Sequence, residues 1–359
     1  MTTTLDYDFE GVTRQLALEE GDNSKPMVVL LHGTGGSISD MTTPAIAPDS
    51  NYDFTSPLEP DVTLGWRPYP LAGVWSCCAL DPKKDVRSWR DLLQLYEFPT
   101  AVYSQVDPNG FLARPVDELA VVMQTLIDHA PKSKFVLLAQ SRGGLLVRKF
   151  LKDHVDLAQT VCTVITLHSP HRGSSLASIA DSLRDVIDAL VDVVGSVASN
   201  ALGPLMNMVD SDAFIEMTVG SDFLADLADG EAPHDGIEYY TFGGVSVRLS
   251  RIRSWVYTAS SAVPQWHWPP FLHARTEIEF PGISPIADSL PNLIDELSDG
   301  RGDLLTADAR TRLPFAVHQT NPINHAETLW DPILQAQVLR LLGVDVVVNP
   351  PDDDSSFWQ

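Results

Sequence analysis

Apolar-rich runs alternate with helix-spaced apolar positions along most of this chain. Runs at 27–31 (Met-Val-Val-Leu-Leu), 135–139 (Phe-Val-Leu-Leu-Ala), 161–167 (Val-Cys-Thr-Val-Ile-Thr-Leu) and 237–242 (Ile-Glu-Tyr-Tyr-Thr-Phe) predict strands, with a shorter one over 100–103. Helical spacing is found over 116–127, over 142–153 (Leu145, Val147, Phe150, Leu151) and in a last helix carrying Leu329, Ile333, Leu334, Val338, Leu341 and Leu342. A short helix is expected over 87–93. Strands that alternate with helices imply a parallel sheet covered on both faces, the α/β class. Apolar positions at Leu176, Ile179, Leu183, Val186, Ile187, Leu190, Val193, Val194 and Val197 predict an amphipathic helix, with Asp181, Asp185, Asp188 and Asp192 opposite. Residues 1–26 read as a polar lead-in, and 38–70 as a long Pro- and Asp-rich loop without periodicity. The tail from 347 to 359 reads as disordered.

The strand over 135–139 stops at Gln140-Ser141-Arg142-Gly143, and a helix follows at once. A strand that turns sharply into a helix around small-x-Ser-x-Gly places the serine on a strained tip, where larger flanking residues would collide. Ala139 and Gly143 meet that need, with Ala standing where Gly is commoner. The strand over 27–31 ends in His32-Gly33-Thr34-Gly35-Gly36, a glycine-rich bend able to aim a backbone N–H without a Cβ in the way. Thr34 and Arg142 would supply two N–H groups for a developing oxyanion, and Arg142 also opens a helix whose dipole favours negative charge. Late in the chain, Asp299-Gly-Arg-Gly-Asp303 supplies acids, and Asn324-His325-Ala-Glu327 a histidine just before the last helix. The order Ser, Asp, His is that of a nucleophile, an orienting acid and a general base.

These stretches resemble the α/β-hydrolase superfamily, in particular bacterial lipases and carboxylesterases and the wider lipase-like group. The resemblance rests on Leu30-Leu-His-Gly-Thr-Gly-Gly36, on Ala139-Gln-Ser-Arg-Gly-Gly144, on Leu167-His-Ser-Pro-His-Arg-Gly-Ser174, and on Gly302-Asp303 with Asn324-His-Ala-Glu327. Met217-Thr-Val-Gly-Ser-Asp-Phe-Leu224 adds a weaker likeness to the segment that re-enters the core after a lid. It implies a hydrolase core over 1–172 and 233–346, interrupted by a helical cap or lid over 173–232. It further implies Ser141 as nucleophile, His325 as base and Asp303 as acid, with Asp299 as the rival acid because no Gly follows Asp303. His32, Gly33 and Gln140 would support the site, and the Ser-Pro-His-Arg-Gly-Ser stretch with His168 and His171 would shape the wall beside the nucleophile. The implied activity is hydrolysis of apolar acyl esters through an acyl-enzyme. Thioester, amide, lactone or polyester hydrolysis and acyl transfer to an alcohol remain on the same residues.

The 359 residues carry 48 acids against 24 bases, a net charge of −24, which sets the chain against nucleic acid and anionic membranes as partners. The partner expected is a small-molecule or lipid ester. Three cysteines, two of them adjacent (Cys77, Cys78), give no disulfide framework. No His-Glu-x-x-His, paired Cys-x-x-Cys or EF-hand spacing occurs, so neither a metal nor a cofactor is expected. The first residues lack a basic start and an apolar core, which predicts a cytoplasmic location unless an export signal has been removed. Residues 254–272 place Trp266 and Trp268 in a Pro-broken aromatic stretch, a candidate lining for an apolar cleft.

Overall fold

The computed structural model describes residues 2–42, 88–176, 211–246, 294–298 and 300–346, with short strands at 53–55, 63–65, 68–69, 72–77 and 250–254. The expected helix over 176–197, the aromatic stretch over 254–272 and the tail beyond 346 lie wholly or almost wholly outside those residues.

Eight strands form the main sheet: β1 (Thr2–Phe9), β2 (Val12–Glu19), β3 (Met27–Leu31), β4 (Thr100–Tyr103), β5 (Phe135–Gln140), β6 (Val161–Leu167), β7 (Glu238–Gly244) and β8 (Val317–Asn321). They lie in the order β1-β2-β4-β3-β5-β6-β7-β8. From β4 to β8 every pairing is parallel, while β2 is antiparallel to both β1 and β4. β3 and β5 are buried along their whole length, as strands covered on both faces must be.

Alternate residues of these strands feed two separate cores. Met27, Val29 and Leu31 join Phe135, Leu137 and Ala139 on one face, packed by α3 (Ala113–His129) and α4 (Gly143–Asp153). Val28, Leu30, Val136 and Leu138 point to the other, packed by α2 (Trp89–Leu95) and the last helix α8 (Pro332–Leu341). The remaining helices are short: α1 (Ile38–Thr42), α5 (Val155–Ala158), α6 (Asp212–Glu216) and α7 (Asp222–Ala228). Caps set several boundaries. Ser88 accepts the Asp91 amide at the start of α2, and Asp331 accepts the Ile333 and Leu334 amides ahead of Pro332. That cap and proline divide the single helix expected over 329–342 into a 3₁₀ turn, Ala326–Leu329, and α8.

Two expectations are corrected. The polar lead-in is a β-hairpin: Leu5, Tyr7 and Phe9 alternate with polar residues against Leu16 and Leu18, and Glu10-Gly11 closes the turn with φ of 53° and 76°. Period-2 alternation was present there but diluted by threonines and acids. The segment 38–70 contains α1 and short strands at 53–55, 63–65 and 68–69, which join 72–77 and 250–254 in a second sheet. Strands of two and three residues are too short to leave a periodic signature.

The topology locates a crevice. β3 leads on to β4 at one side and β5 leads on to β6 at the other, although β3 and β5 are neighbours. Connections that diverge from adjacent parallel strands leave a gap at their carboxyl ends, where ligands bind in open α/β sheets. The loops beginning at His32 and Ser141 sit at that gap.

At the far side of the sheet, Asp308 ties the loop before β8 to β7 and β8. Its carboxylate accepts from His318 Nε2 (3.0 Å), Thr320 Oγ1 (2.8 Å) and Arg312 (2.5 Å). Burial alone would raise its pKa, but these hydrogen bonds outweigh burial and hold it at about 2, below the ordinary 3.8. A depressed carboxylate stabilises the fold fully above its unfolded pKa and loses that contribution as pH falls through the folded one. Thermal unfolding of the wild type is therefore expected to weaken steeply between pH 4 and pH 2. Asp308→Asn should start lower at pH 7 and lose less across that window.

Candidate active site

Ser141 follows β5 with φ of 55°, in the left-handed region that costs a non-glycine residue energy. Surrounding contacts hold it there. Its N–H donates to Leu167 O of β6 at 2.8 Å, and its own carbonyl accepts from Gly144 N at 3.0 Å. Helix α4 begins at once, so the hydroxyl sits at the tip of a strand–turn–helix corner. The corner is crowded. A Cβ at Gly33 would lie 2.7 Å from Ser141 Cβ, and one at Gly143 would lie 2.9 Å from Leu31 O and 3.0 Å from His32 O. Only glycine lets the β3 and β5 corners approach this closely.

His325 stands in the loop between β8 and the 3₁₀ turn before α8. Its Nδ1 is 2.9 Å from Asp303 Oδ2, and its backbone N–H donates to Asp303 O at 3.0 Å. Asp303 is completely buried. Burial raises a carboxyl pKa, but the charges and hydrogen bonds of His325 and His168 outweigh it and hold this group well below the ordinary carboxylate range. An ionised carboxylate can only accept, so His325 carries its proton on Nδ1. Its Nε2 is buried and has no hydrogen-bond partner among the described residues. The loop is tethered to the serine corner: Thr328 Oγ1 donates to His325 O at 2.7 Å and accepts from Gln140 Nε2 at 3.3 Å. Gln140 is the residue before Ser141. Trp89 Nε1 fixes the next link by donating to Thr328 O at 2.9 Å.

The facing loop is braced by His32. Its Nε2 accepts from the Gln105 amide at 3.0 Å, which places the proton on Nδ1, 2.9 Å from Gly33 O. Burial pushes its pKa down, so it is neutral at pH 7. The amide groups of Thr34 and Arg142 have no hydrogen-bond partner among the described residues, and Thr34 Oγ1 is buried without one. The Arg142 side chain is anchored on carbonyls of Pro108 (3.1 Å) and Gly110 and on Glu216 Oε2 (3.0 Å). Glu216 also accepts the Leu112 amide at 2.9 Å, which draws α6 onto the same loop.

Of the other residues singled out, His171 pairs with Thr166 Oγ1 at 2.9 Å, and its carbonyl accepts from Arg148 at 2.8 Å. Burial and the Arg148 charge push its pKa far down, so it stays neutral. It makes no hydrogen bond to Asp303 or His325. Asp299, Trp266 and Trp268 lie outside the described residues. Sequence reasoning passed over His168, read only as part of a wall: it is fully buried, with Nδ1 2.7 Å from Asp303 Oδ2. A histidine directly after a buried, largely apolar strand was the available signal. His168, Asp303 and His325 offer ligand atoms within 4.8 Å of one another. Both Nδ1 atoms are nevertheless at hydrogen-bond distance from one carboxylate oxygen, so a cation there would have to displace both protons.

No family model matches the chain, and no curated protein matches it in sequence. Among solved structures, the Bacillus licheniformis lipase BlEst2 in mature form is similar with a TM-score of 0.52 and 17% identity, covering 95% of this chain and 98% of that one. Its propeptide form gives 0.50 and 17%, covering 97% of this chain and 55% of that one. The strand order and this likeness decide the architecture. The fold is that of the α/β hydrolases. Its Ser141 corner lies at the carboxyl end of β5, and its Asp303 and His325 follow β7 and β8 in chain order.

The Arg142–Glu216 pair is almost completely buried on both sides. Removing one member strands the other charge, which typically costs about 3–5 kcal/mol. Glu216→Ala is expected to lower unfolding stability by that order in urea titrations. Arg142→Met combined with Glu216→Met should recover part of the loss.

Proposed function

We propose that the chain is a serine-dependent carboxylic ester hydrolase acting on apolar acyl esters. The observation that carries the reading is the conjunction of Ser141 at φ 55° with a His325–Asp303 pair tethered to the same corner through Gln140 and Thr328. A serine hydroxyl is a weak nucleophile until a neutral imidazole accepts its proton. His325 is held in the tautomer that leaves Nε2 free to do so. Ser141 Oγ attacks the acyl carbonyl as its proton passes to His325 Nε2, and Asp303 stabilises the imidazolium without taking the proton. The Thr34 and Arg142 amides receive the oxyanion. His325 then returns the proton to the leaving alcohol, and water hydrolyses the acyl-enzyme by the reverse sequence.

The apolar acyl group is supported by the rim of the Arg142 clamp. Leu112 N and Glu216 hold each other, yet their chain neighbours Phe111 and Ile215 are 50% and 60% exposed. In this reading Phe111 and Ile215 belong to the surface offered to the acyl chain. The segment 173–232, to which Ile215 belongs, is the cap in this reading.

The test is hydrolysis of p-nitrophenyl esters from acetate to palmitate by the wild type and Ser141→Ala in parallel. The wild type should prefer longer acyl chains, and the variant should lose at least about 10³-fold in kcat/KM. Equal activity in both proteins, or none across the series, would refute the reading.

A further inference from the structure

Asp303 serves two histidines. Its Oδ2 lies 2.9 Å from His325 Nδ1 and 2.7 Å from His168 Nδ1, while Oδ1 accepts the amides of Leu305 (3.0 Å) and Thr306 (2.7 Å). Because the ionised carboxylate only accepts, both imidazoles carry a proton on Nδ1. His168 Nε2 is buried and has no partner among the described residues.

The fold goes to some length to place this ring. His168 leaves β6 with φ of 51°, a second strained non-glycine residue beside Ser141. Its N–H donates to Phe242 O of β7 at 2.8 Å, which extends the sheet pairing by one residue and fixes the direction of the side chain. β7 yields room for the ring with a glycine: a Cβ at Gly244 would lie 2.6 Å from His168 Nδ1. The two rings stand edge to face, with centroids 6.0 Å apart. A smaller apolar residue at 168 would need no glycine opposite and would leave no nitrogen unsatisfied, yet the donor is there.

We propose that His168 is a positioning residue that acts on His325 through Asp303. This rests on the ester-hydrolase reading above. A second N–H on Oδ2 pins the carboxylate rotamer and draws off part of its charge. The charge left for His325 sets how strongly the imidazolium formed in the reaction is held. His168 keeps its own proton throughout; the serine proton travels to His325 Nε2 and back. Among the described residues, the charged and titratable groups around the pair are these. Asp303 interacts with His325 and His168, β7 presents Gly244, and Glu327 beyond His325 is engaged by the Asn324 amide at 2.8 Å.

The experiment compares wild type, His168→Leu, His168→Asn and Ser141→Ala. Asn carries an amide N–H where the ring has Nδ1–H, and Leu carries none. For p-nitrophenyl ester hydrolysis, His168→Leu should lower kcat about tenfold with KM within about twofold. It should also move the acid limb of the kcat/KM profile up by about one pH unit, because the freed carboxylate holds the imidazolium more tightly. His168→Asn should return the limb to the wild-type position. An unmoved limb in His168→Leu, or an Asn variant that behaves like the Leu variant, overturns the proposal. Proton NMR of Ser141→Ala with ¹⁵N-labelled histidine reads the same bond without turnover. Two strongly downfield Nδ1–H protons are expected, one of them lost in His168→Asn; a single one, belonging to His325, overturns the proposal even if His168→Leu fails to fold. Full activity in Ser141→Ala would instead refute the hydrolase reading, and the NMR signals would then decide the His168–Asp303 bond by themselves.

Discussion

A carboxylate shut away from water must be surrounded by donors or give up its charge. Asp303 meets that demand with two ring N–H groups and two backbone amides, and both rings come from segments that have to be brought to it. His168 comes from the end of β6, His325 from the loop after β8, and Leu305 and Thr306 from the turn that follows the acid itself. The buried charge therefore fixes three connections at one end of the sheet. Its low proton affinity keeps it an acceptor across the ordinary pH range, so the histidine tautomers are set by the same requirement.

A second constraint is steric and concerns the other half of the crevice. β3 and β5 are adjacent parallel strands, and their corners meet where Gly33 faces Ser141. The absence of side chains at Gly33 and Gly143 lets the serine corner lie against the His32–Thr34 bend. The left-handed backbone at Ser141 turns the chain from β5 directly into α4. Neither half is useful alone. The link between them runs through Gln140, Thr328 and the carbonyl of His325, with Trp89 holding Thr328 from the second core. Packing on both faces of the sheet thus bears on one short hydrogen-bond chain.

The central part of this architecture was readable because it depends on local pattern. Buried parallel strands are continuous apolar runs, and β3, β4 and β6 lie where those runs lie. The corner at Ser141 was readable because few backbone shapes other than a tight strand-to-helix turn require small residues on both sides of a serine. Asp303 and His325 followed from chain order, and the geometry sets them against each other, although Asp299 could not be separated from Asp303 on residues alone. What escaped depends on long-range pairing. The β1–β2 hairpin hides a three-residue apolar stripe among threonines and acids. His168 reads as the end of a strand beside Ser-Pro, and its meaning comes only from an aspartate 135 residues later.

The most direct check is covalent. An alkyl fluorophosphonate reacts with a serine only where a neighbouring base and oxyanion donors activate it. Incubation of the full chain with this reagent, followed by digestion and mass spectrometry, should give one adduct, on Ser141. His325→Gln should slow its formation at least about a hundredfold. An adduct on another serine, or none at all, would contradict the assignment of Ser141, His325 and Asp303 as one catalytic unit.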